Sequence, residues 1–358
     1  MLLRSLLEIF PVPEYISMPA CGLDISDRSI KFVEITPGQG MRRFGESDIP
    51  PGLIKSGAIT NEQALTEVFK KFRSDNKLLN VVASLPEEKA FVVRISLPRV
   101  EKSELREAIE LHLEEYVPFP ASSVVFDYDV VSENEANFEV VISALEKTTV
   151  GSYLDVLKAS GFVPLAFEIE AQALARALVP QYAKETFFVV DFGRSRTGFA
   201  IVERNSIQFS STVSIGGDSI VSAIIDRFKV KEDVAREMKE KRGLRRGIDA
   251  ELFFAITPTV SVLRDEIVKH ESFWNGHKEE GGKKHGEIDQ IILTGGDANI
   301  PGLADYLASG SDTPFVLGNP WTNVINFEHT IPGIPLNQSL RYATAIGLAL
   351  RRTKVTIS

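Results

Sequence analysis

The feature that most constrains this chain is a strand–turn–strand pattern that occurs twice. Residues 22–35 and 188–203 each contain an apolar strand that reaches an aspartate, then a short polar turn and a second apolar strand ending in a glutamate. The aspartates, Asp24 and Asp191, lie about half the chain length apart. At 358 residues the chain is also too long for one ordinary core. The repeat therefore predicts two domains built on the same strand arrangement.

A third element supports a specific use for these hairpins. Residues 291–303 form an apolar strand that runs into Gly295-Gly296 and then a helix start. Turn amides can bind phosphates, aspartates hold Mg²⁺ through water, and paired glycines allow backbone to pass close to a ligand. Two hairpins followed by this turn predict a nucleotide clamp of the actin type, with Asp24 and Asp191 at the metal.

Composition limits the class of protein. The chain is 44% hydrophobic and 25% charged, as in globular domains, and its net charge of −9 argues against nucleic acid as a partner. The single cysteine, Cys21, excludes an internal disulfide framework and suits a reducing cytoplasm. No apolar run reaches the roughly 18–20 residues needed to span a bilayer. Residues 1–10 are either a short amphipathic segment that rests on a surface or a floppy terminus.

The pattern of apolar residues, prolines and glycines divides the chain. Ser103 is expected to cap the helix of an inserted β-α-β-β-α module, and another helix is expected over 258–273. The predicted layout is an N-terminal extension (1–21), a first domain (22–184) with the insert at about 87–163, a second domain (185–339) with a flexible loop at about 275–286, and a closing helix (340–352) that packs back on the first domain.

Several strings of residues resemble a known family over residues 22–352. They include Gly-Leu-Asp-Ile (22–25), Tyr-Val-Pro-Phe-Pro (116–120), Leu-Thr-Gly-Gly (293–296) and Asn-Pro-Trp (319–321), in this order. A generic actin-like fold does not require the second and fourth strings. The chain resembles the PilM family, the actin-like proteins of type IV pilus assembly, which are related to the cell-division protein FtsA.

The resemblance implies an α/β fold, an actin-like ATPase with duplicated RNase H-like domains and an inserted SHS2-type 1C subdomain. It implies ATP and Mg²⁺ as cofactors and a cytoplasmic scaffold at the inner face of the cytoplasmic membrane. The implied partner is the cytoplasmic tail of a PilN-like inner-membrane protein, bound in a groove beside the insert. Pilus motor components are further expected partners, whereas no nucleic acid is expected.

The resemblance also assigns site residues. Glu170 and Gln172 would orient water, and Glu237 and Lys239 would hold ribose. The family usually has glycine at position 26, so Ser26 would be strained if the turn required a positive φ. The remaining nucleotide contacts expected are Ser26, Asp27, Arg28, Ser29 and Lys31 in the first phosphate loop, Gly193, Arg194, Ser195 and Thr197 in the second, Gly216 and Gly217 at a helix start, and Gly295, Gly296, Asp297 and Ile300 at the adenosine.

Three function classes compete at this point. The expected one is an ATP-binding scaffold of pilus, competence or secretion assembly. An FtsA-like division protein would end in a linker and an amphipathic anchor helix, which the last residues do not resemble. A small-molecule kinase would need a carboxylate base beside an acceptor pocket, and no such loop is recognisable. Whether ATP is hydrolysed stays open, as does the alternative that Arg28, Arg194 and Arg196 are solvated surface charges.

Overall fold

The computed structural model describes residues 20–36, 40–276, 286–324 and 333–351. The predictions for residues 1–19 and for most of the loop at 275–286 lie outside these ranges.

The described residues contain fifteen strands. They are β1 (Cys21–Ile25), β2 (Ser29–Thr36), β3 (Gly40–Asp48), β4 (Ile54–Lys55), β5 (Ala58–Ile59), β6 (Asn80–Leu85), β7 (Phe91–Pro98), β8 (Val124–Glu133), β9 (Asn137–Glu146), β10 (Val163–Ile169), β11 (Thr186–Phe192), β12 (Thr197–Glu203), β13 (Ser206–Val213), β14 (Gln290–Thr294) and β15 (Phe315–Leu317).

The same ranges contain ten α-helices, none of them long and apolar enough to cross a membrane. They are α1 (Glu62–Asn76), α2 (Leu105–Tyr116), α3 (Lys147–Ala159), α4 (Glu170–Leu178), α5 (Gly217–Phe228), α6 (Glu232–Lys241), α7 (Ala250–Gly276), α8 (Leu303–Ala308), α9 (Leu336–Ser339) and α10 (Ala343–Ala349).

Two five-stranded sheets repeat one topology. The first has the order β3-β2-β1-β6-β10 and the second the order β13-β12-β11-β14-β15. In each sheet the first three strands of this order form an antiparallel meander. The last two strands are parallel to the strand that bears the aspartate, β1 or β11, and extend the sheet on its other side. The predicted duplication is confirmed, because both halves place their aspartate-bearing strand, β1 or β11, at the centre of a mixed sheet.

The insert has a small core of its own. Its sheet has the order β7-β9-β8, all antiparallel, and α2 packs Leu105, Ile109 and Leu113 against it. The following helix, α3, buries Tyr153 and Leu157 in the core of the first domain. The chain thus returns from the insert to the first domain through α3.

Two local predictions about helices are wrong. Ser103 does not cap α2, since Glu104 occupies the N-cap position and makes no side-chain cap hydrogen bond. Helix α7 begins at Ala250, well before residue 258, and contains Pro258 in its interior. Leu252 and Ile256 are completely buried in the second core. Their burial holds the helical turns before Pro258 and outweighs the hydrogen bond that proline removes.

The closing segment packs against the centre of the first domain. A short 3₁₀ turn, Leu340–Tyr342, leads into α10. A β-carbon on Gly347 would lie 1.8 Å from the carbonyl oxygen of Ala173 in α4, and one on Gly22 would lie 2.0 Å from the carbonyl oxygen of Ala345. Helix α10 therefore contacts both β1 and α4 at backbone distance, which only glycine permits.

We expect Gly347→Ala to destabilise the protein by about 1–3 kcal/mol, because the added methyl group overlaps backbone that side-chain rotation cannot move. Gly151 in α3 is the matched control, since a β-carbon there meets nothing within 4 Å. Gly151→Ala should be neutral or stabilising by up to about 1 kcal/mol. Thermal unfolding of both variants measures the difference, and equal stabilities would contradict the close packing.

Candidate functional site

The two hairpin aspartates lie near each other where the two domains meet. Asp24 is buried near the end of β1, and its carboxylate binds Lys31 Nζ at 3.1 Å. Burial and the negative charge of Asp24 raise the pKa of Asp191 to about 6, although the positive charges of Arg196 and Lys31 oppose the shift. The structure therefore brings the two predicted metal-binding carboxylates close enough to repel each other.

The first predicted phosphate loop is a turn without backbone strain. Ser26 N–H donates to the Ser29 carbonyl at 2.9 Å, and Ser29 N–H donates to Ser26 Oγ at 3.2 Å. None of the four residues 26–29 is among the described residues with a positive φ. Serine therefore fits at position 26, because this turn does not need the conformation that favours glycine.

Asp27 and Arg28 differ in how far their hydrogen bonds are satisfied. The Asp27 carboxylate accepts hydrogen bonds from the amides of Ser56 and Gly57, at 2.8 and 3.1 Å. Its charge is thus directed to a neighbouring loop of its own domain. Arg28 Nε is buried and has no hydrogen-bond partner within the described part of the chain. A buried donor without an acceptor is costly, so this guanidinium is suited to an added anion.

The second hairpin turn is tied to the start of α5. The Gly217 and Asp218 amides donate to the carbonyls of Gly193 and Arg194, at 3.0 and 2.8 Å. A β-carbon on Gly216 would lie 2.6 Å from the Arg194 carbonyl oxygen. Thr197 is buried, and its hydroxyl donates to the Ile215 carbonyl at 2.6 Å. These contacts fix the turn, with Ser195 at its tip, relative to the helix.

Charged side chains from both domains surround that helix start. Burial opposes ionisation of Asp218, but a hydrogen bond from Arg236 and the charges of Arg194 and Arg28 lower its pKa overall. Arg194 also crosses to the first domain, where Nη1 binds Asp48 Oδ1 at 3.2 Å. Sequence reasoning did not select Arg236 or Asp48, because neither lies in a recognisable motif.

The predicted adenosine element packs onto the second hairpin. Gly295 has a φ of +103°, and a β-carbon there would lie 2.6 Å from Asp191 Oδ1. Gly296 is exposed beside it. The Asp297 carboxylate binds Lys239 Nζ, and a β-carbon on Gly217 would overlap this carboxylate. The structure thus joins residues from four separate segments in one wall.

Three predicted residues do not join this wall. Glu237 is on the exposed side of α6 and pairs with Lys241 at 2.7 Å, whereas Lys239 of the same helix is buried. Ile300 is buried in the core of the second domain. Gln172 Nε2 donates to Ser143 Oγ at 3.3 Å in the insert, away from the hairpins. The expectation that Gln172 stands beside Glu170 to orient water is therefore wrong.

Glu170 itself is held by an arginine of the opposite domain. Arg196 Nη2 lies 2.6 and 2.7 Å from the two oxygens of Glu170, and Nη1 lies 2.9 Å from Glu88 Oε1. Burial raises the pKa of Glu170 well above its usual value, although Arg196 opposes the shift. Sequence reasoning missed Glu88, although Glu88 follows the buried strand β6 beside β1. Functional groups of parallel sheets commonly lie at this end of the strands.

The residues present fit a hydrated Mg²⁺ better than a caged one. No group of three His, Cys, Asp or Glu side chains that could hold a metal ion occurs among the residues the structure describes. Mg²⁺ commonly keeps several waters and uses one or two carboxylates together with substrate phosphates. Asp24 and Asp191 would supply that number of carboxylates.

A separate groove of about 1310 Å³ lies beside the insert. Its walls come from β8, β10, α4, the 204–207 turn and the end of α10, with charged side chains of both signs. Glu168 is buried there, pairs with both Arg176 Nη atoms at 2.6 Å, and pairs with Arg351 at 3.1 Å. The groove is larger than the pockets of about 300–1,000 Å³ that hold small molecules.

Comparison with known proteins finds one matching family and several similar structures. The family model for type IV pilus assembly protein PilM matches residues 22–353. A solved PilM-PilN type IV pilus biogenesis complex has 23% identity and a TM-score of 0.78, over 94% of this chain and 99% of that chain. Ethanolamine utilization protein EutJ from Carboxydothermus hydrogenoformans has 13% identity and a TM-score of 0.58, over 98% of each chain.

A third similar structure is MreB5 of Spiroplasma citri bound to AMPPNP. Its identity is 12% and its TM-score 0.53, over 92% of this chain and 94% of that chain. These structural similarities confirm the predicted actin-like fold.

We expect Asp191→Asn to stabilise the protein in the absence of nucleotide at pH 7.5, by roughly 1–3 kcal/mol, because it removes a charge buried beside Asp24. The folded pKa of about 6 lies above the ordinary value of 3.8, so the cost of ionising Asp191 is present above pH 6 and shrinks as pH falls. The gain should therefore be smaller at pH 5. Urea unfolding at both pH values tests this.

The control for this prediction is Asp226→Asn, at an exposed position of α5. It removes one negative charge without relieving the contact between the hairpins, so its stability should follow that of the unaltered chain. A loss of stability in Asp191→Asn at pH 7.5 would contradict the interpretation.

Proposed function

This chain belongs to the PilM family of type IV pilus assembly proteins, and on that premise we propose that it is an ATP-binding scaffold that holds the cytoplasmic tail of a PilN-like inner-membrane protein. One observation supports the nucleotide-binding part of this proposal. Asp24 and Asp191 occupy matching places in two duplicated sheets, and burial together with the charge of Asp24 raises the pKa of Asp191 across the domain boundary.

The residues around these carboxylates suit the parts of ATP·Mg²⁺. Asp24 and Asp191 would hold the hydrated metal, which neutralises phosphate charge when bound. Arg28 would donate to a phosphate, since its Nε is buried without a partner among the described residues. Lys239 and Asp297 would border the nucleoside beside Gly295. The structure of MreB5 with AMPPNP supports this use of the fold.

The proposed mechanism is a clamp with at most slow hydrolysis. Glu170, the residue expected to orient water, has both oxygens engaged by Arg196. Phosphates that contact both hairpins would stabilise the closed cleft further, and the closed cleft would set the shape of the groove beside the insert. Nucleotide state would then alter the affinity for the partner through a difference between two conformations.

The groove suits an extended peptide. Strand β8 is an edge strand of the insert sheet, and Val125, Asp127 and Asp129 along it line the groove. An edge strand offers unpaired backbone groups to a peptide, while alternate side chains select its sequence. The similar PilM-PilN complex supports a tail of a PilN-like protein as the occupant. Such a tail would place this chain at the inner face of the cytoplasmic membrane.

Asp191→Ala is expected to abolish saturable binding of ATP and ADP in the presence of Mg²⁺, because one of two metal-binding carboxylates is lost. Calorimetry on the unaltered chain and on the variant measures this, with Asp226→Ala as the control that should bind normally. Absence of binding by the unaltered chain would overturn the nucleotide part of the proposal.

Val125→Glu is expected to weaken binding of a synthetic peptide with the cytoplasmic tail sequence of the cell's PilN-like protein by about tenfold or more. Val125 is 45% exposed, so the change should leave the fold intact. Val262→Glu is the control, since Val262 is 49% exposed on α7 and does not line the groove. Equal affinities for the two variants would place the peptide elsewhere.

A further inference from the structure

One arginine of the second domain ends inside the first domain. Arg196 lies at the end of the second hairpin turn, and its guanidinium binds Glu170 at 2.6 and 2.7 Å and Glu88 at 2.9 Å. The three side chains are only 14%, 9% and 11% exposed. This cluster joins the second hairpin, in the second domain, to two buried acids of the first domain.

Its two acids come from separate elements of the first domain. Glu170 is the first residue of α4, and Glu88 lies in the 3₁₀ turn Glu87–Lys89 that follows β6. Glu87 binds these elements together, because its carboxylate accepts a hydrogen bond from the Ala171 amide at 3.0 Å. Arg196 thus contacts a preformed acidic corner and not a single flexible side chain.

The charges in this corner do not balance. Three carboxylates, on Glu87, Glu88 and Glu170, surround one guanidinium, and burial raises the pKa of each acid. Glu88 Oε2 is buried without a hydrogen-bond partner in the described residues. Withdrawing Arg196 while the corner stays closed would strand these charges. The pairs can therefore separate only if water enters, which requires the domains to move apart.

Another ion pair crosses the same boundary and provides a comparison. Arg194 binds Asp48 at 3.2 Å, but the Asp48 side chain is 84% exposed. Exposed pairs are well solvated whether made or broken and contribute little. Of these two charged contacts, the buried Arg196 cluster is the one that would contribute more to domain closure.

Helix α4 connects this cluster to the groove. Its first residue, Glu170, is held by Arg196, while Gln172 and Arg176 on the same short helix line the groove. The backbone of α4 is also in close contact with α10 at Gly347. A shift of Glu170 would therefore move groove-lining side chains with it, because a helix moves as a unit.

We propose that Arg196, Glu88 and Glu170 form an interdomain latch that holds the nucleotide-free cleft closed and, through α4, sets the shape of the groove. The first part of this proposal, the closed cleft, is independent of any ligand. The second part, the effect on the groove, rests on the proposed binding of a peptide there.

Distance measurements between spin labels on the two domains test the latch. Ser74→Cys on α1 and Ser222→Cys on α5 provide exposed label sites. Cys21 is buried and its thiol pKa is raised to about 12, so it stays unlabelled.

The test variant carries Glu88→Gln, Glu170→Gln and Arg196→Gln. Its three amide side chains can still form hydrogen bonds, but they carry no charge. We expect its open fraction, without nucleotide, to rise about tenfold, whereas Asp48→Asn should match the unaltered chain.

An unchanged distance distribution in a folded triple variant would overturn the latch. If the triple variant does not fold, Arg196→Lys alone serves the same purpose, because an ammonium group keeps the charge but cannot make the forked contacts of Arg196 with Glu170 and Glu88. It should show a smaller rise in the open fraction, and no rise would again reject the proposal.

Peptide affinity tests the second part on the same variants. We expect the triple variant to bind the tail peptide several-fold differently from the unaltered chain, and Asp48→Asn to bind it equally. Equal affinity in an opened triple variant would reject coupling through α4. If the unaltered chain binds no peptide, the proposed partner fails while the distance result still decides the latch.

Discussion

Burial of like charge at the domain boundary is the constraint on which the rest of this structure depends. Duplicating one sheet places Asp24 and Asp191 at equivalent strand ends, and closing the two domains turns those ends toward each other. Burial, together with the negative charge of Asp24, raises the pKa of Asp191. Cations must therefore lie close by, and Lys31 and Arg196 are the basic residues whose charges oppose the shift.

The packing of helix α4 also explains how the proposed sites for nucleotide and partner can share one rigid helix. Helix α4 has its first residue in the acidic corner and its outer face in the groove, and α10 packs on it at a distance that only Gly347 permits. Dense packing transmits small displacements instead of absorbing them. The fold thus joins two surfaces whose proposed occupants are chemically unrelated.

Patterns in the chain anticipated the elements whose signals are local. Apolar strands, the hairpins around Asp24 and Asp191, and the Gly295 turn were all recognisable because each is written in consecutive residues. Strand β3 was not predicted, since most of its side chains are exposed and its sequence, Gly-Met-Arg-Arg-Phe-Gly-Glu-Ser-Asp, lacks apolar alternation. The start of α7 before Pro258 was not predicted either. Its first turns are stabilised by burial against residues distant in the chain, which the local sequence does not show.

By itself, the sequence determined the duplicated mixed α/β architecture, the inserted module and the place of both aspartates at the ends of central strands, because strand periodicity and turn chemistry act over a few residues. Only the tertiary structure decided which charges meet. The pairing of Arg196 with Glu88 and Glu170 joins residues far apart in the chain, and their separation in sequence carries no sign of it. Such contacts arise when two domains close on each other, and their energies depend on burial, which no local pattern contains.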